Sequence, residues 1–206
     1  MGNFCGVIGT GKEGNPEEGV EQRMEIVLIR HGEPDYTPCD RRGFIGQGRG
    51  LAPLTPAGRA CAETYAKDPA LSGCERLISS PYTRALETAA IFSRAMGLPI
   101  EVEVDLHEWL VDKTFQDSTS EESMAAAQEF ERYGGRYPLG ETRNWETAAE
   151  IVARVVPVFD KYLDMGCRKI AVVSHGMVMR RFTGGTSTAY CRPYRISYDK
   201  GFPCLV

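Results

Sequence analysis

Two apolar runs in this chain end in the same way. Ile26-Val27-Leu28-Ile29 leads into Arg30-His31-Gly32, and Ile170-Ala171-Val172-Val173 leads into Ser174-His175-Gly176. Neither run alternates with polar residues, so each reads as a strand buried on both faces, as in a parallel sheet covered by helices. Two of the three histidines therefore close such strands, each followed by glycine. In an open α/β sheet the carboxyl ends of the strands form the edge where ligands bind.

The rest of the chain supplies the alternation such a sheet needs. After a strand over 25–30 comes a loop, 32–53, rich in Gly, Pro and Arg. Thr55-Pro56 opens a helix to about Lys67, with Thr as N-cap and Pro in the first turn. Residues 76–79 form a short strand. Thr83 to Met96 is a helix stopped by Gly97 and Pro99. Residues 100–106 alternate apolar with acidic, as a strand exposed on one side does. Residues 109–142 break the rhythm: a helix over 120–133, then Gly134-Gly135 and Pro138-Leu139-Gly140. This segment reads as an insertion beside the strand-end residues. Trp145 to Leu163 has helical spacing, 169–173 is a strand, and a helix begins near 177. An irregular tail containing Pro193 and Pro203 follows. Strands alternating with helices predict an α/β chain, a three-layer α/β/α sandwich with a mostly parallel central sheet, over 24–206 as one domain. Residues 1–23, with six glycines, read as a flexible tail.

Bulk properties narrow the function classes. A net charge of -4 argues against a nucleic-acid backbone binder. An anionic ligand must be held by local positive charge rather than by the field of the whole protein. The seven cysteines are scattered without metal or redox spacing, which suits a reducing cytoplasm. No stretch has transmembrane length, and no basic segment leads into an apolar one, so neither a membrane span nor a secretory signal is expected. Gly6 to Lys12 imitates a phosphate-binding loop, but Glu13 stands where Ser or Thr must hold magnesium and no strand precedes it. Met1-Gly2 with Cys5 imitates an acylation signal, but Gly6 stands at the position of its Ser or Thr.

The chemistry lies at the strand ends. Phosphoryl transfer needs positioning and neutralisation of the equatorial oxygens. A neutral imidazole can attack phosphorus and carry the phosphoryl group. Arg30 and His31 share one strand end, where Gly32 permits a bend and a close approach of backbone to phosphate. His175, from the second strand end, can donate to the same anion. Arg84 begins the helix after strand 76–79, where a guanidinium can grip two phosphate oxygens. Glu108 can protonate a leaving oxygen, a task Asp105 or Asp112 could share. His107 reads as a partly exposed neighbour. Arg41 and Arg42 either contact the far end of a substrate or are solvated charges. Trp109, Phe115 and Tyr133 read as core or as a lid.

These residues resemble a family. Ile29-Arg30-His31-Gly32-Glu33 is similar to the signature of the histidine phosphatase superfamily, in its phosphoglycerate-mutase-like branch. Ser79-Ser80-Pro81-Tyr82-Thr83-Arg84-Ala85-Leu86-Glu87-Thr88-Ala89 resembles its second motif, and Leu106-His107-Glu108 falls where the family places its acid. Ser174-His175-Gly176 resembles the last motif, and Leu54 to Gly58 matches a common element. The resemblance covers about residues 24–180. It implies a phosphoglycerate-mutase-like fold, with His31 as the nucleophile that becomes phosphohistidine. It implies phosphate binding by Arg30, Gly32, Arg84, His175 and Gly176. Glu108 would be the proton donor and then the base for water; Glu33, Arg41 and Arg42 are possible substrate contacts. It implies no metal and no cofactor, a small phosphorylated substrate, and it admits a homodimer that no sequence feature shows. Mutases share this core. They tend to be longer, with an adjacent Arg pair in the insertion, whereas Arg132 and Arg136 stand apart and Pro34-Asp35 departs from the mutase pattern. The expectation is a phosphomonoesterase. A mutase and a phosphate- or phosphoprotein-binding domain without turnover remain as alternatives.

Overall fold

The computed structural model describes residues 22–116, 119–185 and 188–206. Of the segment 1–23, read from the sequence as a tail, only residues 22 and 23 are among them, and both imitated motifs lie outside the described residues. In chain order the elements are β1 (Met24–Arg30), α1 (Thr37–Asp40), a 3-10 turn (Gly46–Leu51), α2 (Pro56–Tyr65), β2 (Arg76–Ser79) and α3 (Thr83–Met96). Then come β3 (Ile100–Val102), α4 (Ser120–Arg132), α5 (Ala148–Asp164), β4 (Lys169–Ser174), α6 (Gly176–Arg180) and β5 (Pro193–Tyr198). The strands form one five-stranded sheet in the order β3-β2-β4-β1-β5. All neighbours are parallel except β5, which runs antiparallel to β1. This is the expected mostly parallel sheet between two helical layers.

The strand period of two sorts side chains between the layers. Met24, Ile26, Leu28, Ile170 and Val172 join one core cluster with Ile151, Val155 and Phe159 of α5 and Val178 of α6. Val27, Ile29, Leu77, Ala171 and Val173 join the other with Ala62 of α2 and Ala85, Ala89 and Phe92 of α3. Burying a large apolar side chain stabilises by about 1.5–3 kcal/mol, so these central strands are the firmest part of the fold. Among the described residues, no helix is long and apolar enough to cross a membrane.

Three sequence expectations change. The strand predicted over 100–106 stops at Val102 and passes into a 3-10 turn, Val104–Leu106; Val102 and Val104 are both exposed at this sheet edge. The helix predicted from Trp145 begins at Ala148. Thr147 and Glu150 form a reciprocal capping box there, while Trp145 packs among Trp109, Phe130 and Tyr137. The tail read as irregular contains β5. Pro193 hides it in the sequence, because proline suggests a loop, yet at the first position of an edge strand it costs little.

Candidate active site

The register of β1 on β4 builds the centre of the site. Arg30 lies opposite Ser174, and the His31 N–H donates to Ser174 O at 3.0 Å. The next residue on each strand is a histidine, so the two rings emerge side by side with centroids 5.0 Å apart. Both are buried, His31 at 3% and His175 at 0% exposure.

Hydrogen bonds assign each ring a role. His31 Nδ1–H donates to Gly32 O at 2.7 Å, which leaves Nε2 unprotonated, and Arg84 Nε–H points at that lone pair from 3.2 Å. Burial, then the Arg84 and Arg30 charges, push the His31 pKa down to about 3 against the opposing Gly32 bond, so the ring is neutral at physiological pH. His175 Nε2 lies 2.7 Å from Ser80 Oγ, and Ser80 Oγ accepts from Tyr82 N–H at 3.3 Å. With the Ser80 hydroxyl donating to Nε2, the His175 proton lies on Nδ1. That Nδ1 is buried and has no partner among the described residues. Such a group is a donor waiting for an acceptor. Burial, with His31 and Arg84 nearby, also holds His175 well below the ordinary histidine range.

Arg84 is the second residue of α3 and is 5% exposed. Thr88 ties its helix to the strand end: its Oγ1 donates to Arg84 O at 2.7 Å and accepts from Gly32 N–H at 2.9 Å. Arg30 Nη1 donates to Thr188 O at 2.9 Å and its guanidinium lies 4.2 Å above the Tyr190 ring, while Nε is buried without a partner among the described residues. Tyr190 also lies 5.7 Å from the His31 ring.

Glu108 joins two cavities. One, of about 190 Å³, is shared with Arg84, Tyr36, Gln47, Arg49, Tyr82 and Trp109; the other, of about 120 Å³, with Arg30, Gly176, Met177, Arg180 and Thr188. Burial raises the Glu108 carboxyl above its ordinary range, against the Trp109 N–H bond and the charges of Arg84, Arg30 and Arg154. Asp112 lines the first cavity too, but its bonds from the Thr114 hydroxyl and N–H lower its carboxyl, the wrong direction for a proton donor. Asp105 is exposed and lines neither cavity. His107 is half-buried and donates from Nδ1 to Glu108 O at 2.6 Å.

The structure thus brings together Arg30, His31, Arg84, Glu108, His175 and Gly176. Gly32 serves differently from the sequence expectation. Its N–H is taken by Thr88 and its carbonyl by His31, and a Cβ on it would lie 2.8 Å from Gly58 O. Its smallness answers the close approach of α2, not a phosphate. Glu33 is also turned away: it is exposed and accepts from Thr55 Oγ1 at 2.8 Å. Arg41 and Arg42 are exposed outside the lining, Arg42 donating to Pro38 O at 2.8 Å. Arg49 is the cation that this loop brings to the cleft. Trp109 is core and lining at once, whereas Phe115 and Tyr133 are exposed.

Comparison with known proteins agrees with this arrangement. The family model described as "Histidine phosphatase superfamily (branch 1)" matches residues 26–189. The chain belongs to this superfamily. It is 31% identical over 156 residues, 73% of this chain and 71% of the other, to a Bacillus subtilis (strain 168) protein named uncharacterized phosphatase PhoE. Among solved structures it resembles a mycobacterial glucosyl-3-phosphoglycerate phosphatase, with a TM-score of 0.64 at 20% identity over 85% of this chain and 90% of that one. It resembles a phosphoglycerate mutase from Bacillus anthracis about as well, with a TM-score of 0.63 at 18% identity over 88% and 91%. At such identities the likeness is one of fold. Ser80, Thr88 and Tyr190 hold the superfamily's histidines and arginines in this chain; in the sequence Ser80 and Thr88 count only as members of the second motif, without a role, and Tyr190 is not singled out. Each acts through a partner distant in sequence, and only the Ser80-Pro81 step after β2 carried a local signal.

Proposed function

We propose that this chain is a metal-independent phosphomonoesterase acting through a phosphohistidine on His31. The observation that carries the reading is the His31 ring itself: neutral, with Nδ1–H tied to Gly32 O and the Nε2 lone pair beside Arg84. In the first half-reaction Nε2 attacks phosphorus. The N–P bond forms as the ester P–O bond breaks, and the Glu108 carboxyl gives its proton to the departing oxygen. In the second, the Glu108 carboxylate takes a proton from water as the water oxygen attacks phosphorus. The N–P pair returns to Nε2, inorganic phosphate leaves and Glu108 is again protonated. Arg30, Arg84 and the His175 Nδ1–H offset the charge on the equatorial oxygens.

The 31% identical relative, named an uncharacterized phosphatase, supports hydrolysis. A mutase must hold a substrate carboxylate with cations of the insertion. Here Arg132 lies over the Tyr133 ring, Arg136 donates to Val206 O, and neither lines the cleft. The substrate is a phosphorylated metabolite or phosphoprotein whose leaving group rests against the Tyr36, Gln47, Tyr82 and Trp109 wall. The test is turnover of p-nitrophenyl phosphate in the presence of a chelator. The parent protein should turn over, and His31→Ala should lose at least about a thousandfold in kcat. An inactive parent, or an active His31→Ala protein, overturns the reading.

A further inference from the structure

The mechanism above leaves one buried ion pair unused. Glu146 is 3% exposed and is gripped by Arg154, Nε to Oε1 at 2.5 Å and Nη2 to Oε2 at 3.0 Å. Both residues spend their remaining groups on one stretch of chain. Leu110 N–H donates to Glu146 Oε2 at 3.2 Å, Glu146 N–H donates to Leu110 O at 2.8 Å, and Trp109 Nε1–H donates to Glu146 O at 2.6 Å. Arg154 Nη1 donates to Asp105 O, and Nη2 reaches Glu108 O at 3.5 Å.

The stretch held this way, 105–110, carries Glu108. From His107 to Leu110 it has no helix or strand to satisfy its backbone or to fix its path. A buried ion pair is a poor source of net stability, because desolvating two charges offsets most of their attraction. What such a pair does well is fix geometry, since a bidentate guanidinium fork tolerates little rotation. A misplacement of about 1 Å can cost about a hundredfold in rate.

We infer that the Glu146–Arg154 pair is the positioning device for the proton donor, holding the backbone of 105–110 so that the Glu108 carboxyl meets the leaving-group oxygen. This rests on the reading of Glu108 as the donor in His31-dependent hydrolysis. Glu146 and Arg154 are positioning residues: neither touches the phosphoryl group.

The experiment compares two substrates in the full chain. p-Nitrophenolate leaves with little help from a proton, whereas phenolate needs one. Arg154→Lys keeps the charge and loses the fork; Glu146→Gln keeps the shape and loses the charge. Each should lower kcat/KM, which reports only the half-reaction in which the leaving group departs, by about tenfold or more on phenyl phosphate and by less than about threefold on p-nitrophenyl phosphate. In a Glu108→Ala background, adding Arg154→Lys should cause no further loss on phenyl phosphate, because the residue through which it acts is gone. Equal losses on both substrates, additive losses in the Glu108→Ala background, or no loss in the milder Glu146→Gln protein each overturn the inference. Thermal unfolding of every variant separates these results from a failure to fold. Absence of His31-dependent turnover in the parent would instead remove the phosphatase reading, so the two failures are distinct.

Discussion

His31 and Arg84 are 3% and 5% exposed, and each is held at a strand end or on a fourteen-residue helix. Across the cleft, Arg41 and Arg42 are exposed on a loop whose regular structure is a four-residue helix and one 3-10 turn. Both regions are rich in arginine, but only one has its geometry imposed by the sheet. The floor is fixed because β1 and β4 are hydrogen-bonded in register: a one-residue slip would separate the two histidines and turn every core side chain to the wrong layer. The wall is fixed by contacts between side chains, such as Tyr82 hydroxyl to Gln47 at 2.6 Å. Floor residues should therefore act on every substrate, and wall residues on the choice among substrates.

The strongest test of that division is Glu108, which borders both regions. Glu108→Gln keeps the size and removes the acid. It should lower kcat/KM, which ends with departure of the leaving group, by about 10²–10³ on phenyl phosphate and by less than about tenfold on p-nitrophenyl phosphate. Burial raises the Glu108 carboxyl, so in the parent the phenyl phosphate rate should fall as pH rises through that raised pKa and the proton is lost. The variant should lack this alkaline limb. His31, with its pKa pushed down to about 3, should contribute no acid limb between pH 5 and 7. An unchanged pH profile in Glu108→Gln would assign the proton to another group.

A smaller effect should come from below the floor. A Cβ on Gly58 would lie 2.5 Å from Glu33 O and 2.8 Å from Glu33 N, both backbone atoms that cannot swing aside. Gly58→Ala should push α2 away from the chain after His31, costing about 1–3 kcal/mol. For a chain of this size that is a fall of about 3–10 °C in Tm. Because Gly32 O orients His31, kcat should fall by about tenfold on all substrates alike. A loss that depended on the leaving group would place α2 with the wall.

The same division explains what the sequence disclosed. The floor was legible because its signals are local: unalternated apolar runs, Thr55 before Pro56, Gly97 closing α3, and a histidine after each central strand. β5 was hidden by Pro193, and the start of α5 by Trp145, whose helical spacing serves an aromatic cluster instead. The wall was left open at Arg41 and Arg42, between substrate contact and solvated charge, since nothing in a Gly- and Arg-rich loop says which guanidinium turns inward. Glu146 and Arg154 are eight residues apart on one segment, but their target lies about forty residues earlier. No periodicity reports such a contact.

The smallest effect belongs to Arg49. Its Nη1 lies 2.5 Å from Asp40 Oδ1 and its guanidinium lies 4.4 Å from the Tyr36 ring centre, so it lines the cleft with its charge already partnered. A partly exposed pair of this kind is worth about 0–1 kcal/mol. Arg49→Ala should therefore change kcat/KM by no more than about fivefold on any one phosphomonoester, since a partly exposed charge that is already paired has little left to give a substrate. The factor should differ between leaving groups, because the residue faces the alcohol and not the phosphorus. Steady-state kinetics on a panel of phosphomonoesters with neutral, aromatic and carboxylate-bearing leaving groups measures it. A uniform collapse across the panel, like that expected of Arg84→Ala, would mean that Arg49 reaches the phosphoryl group. The line between floor and wall would then have to be redrawn through the 3-10 turn.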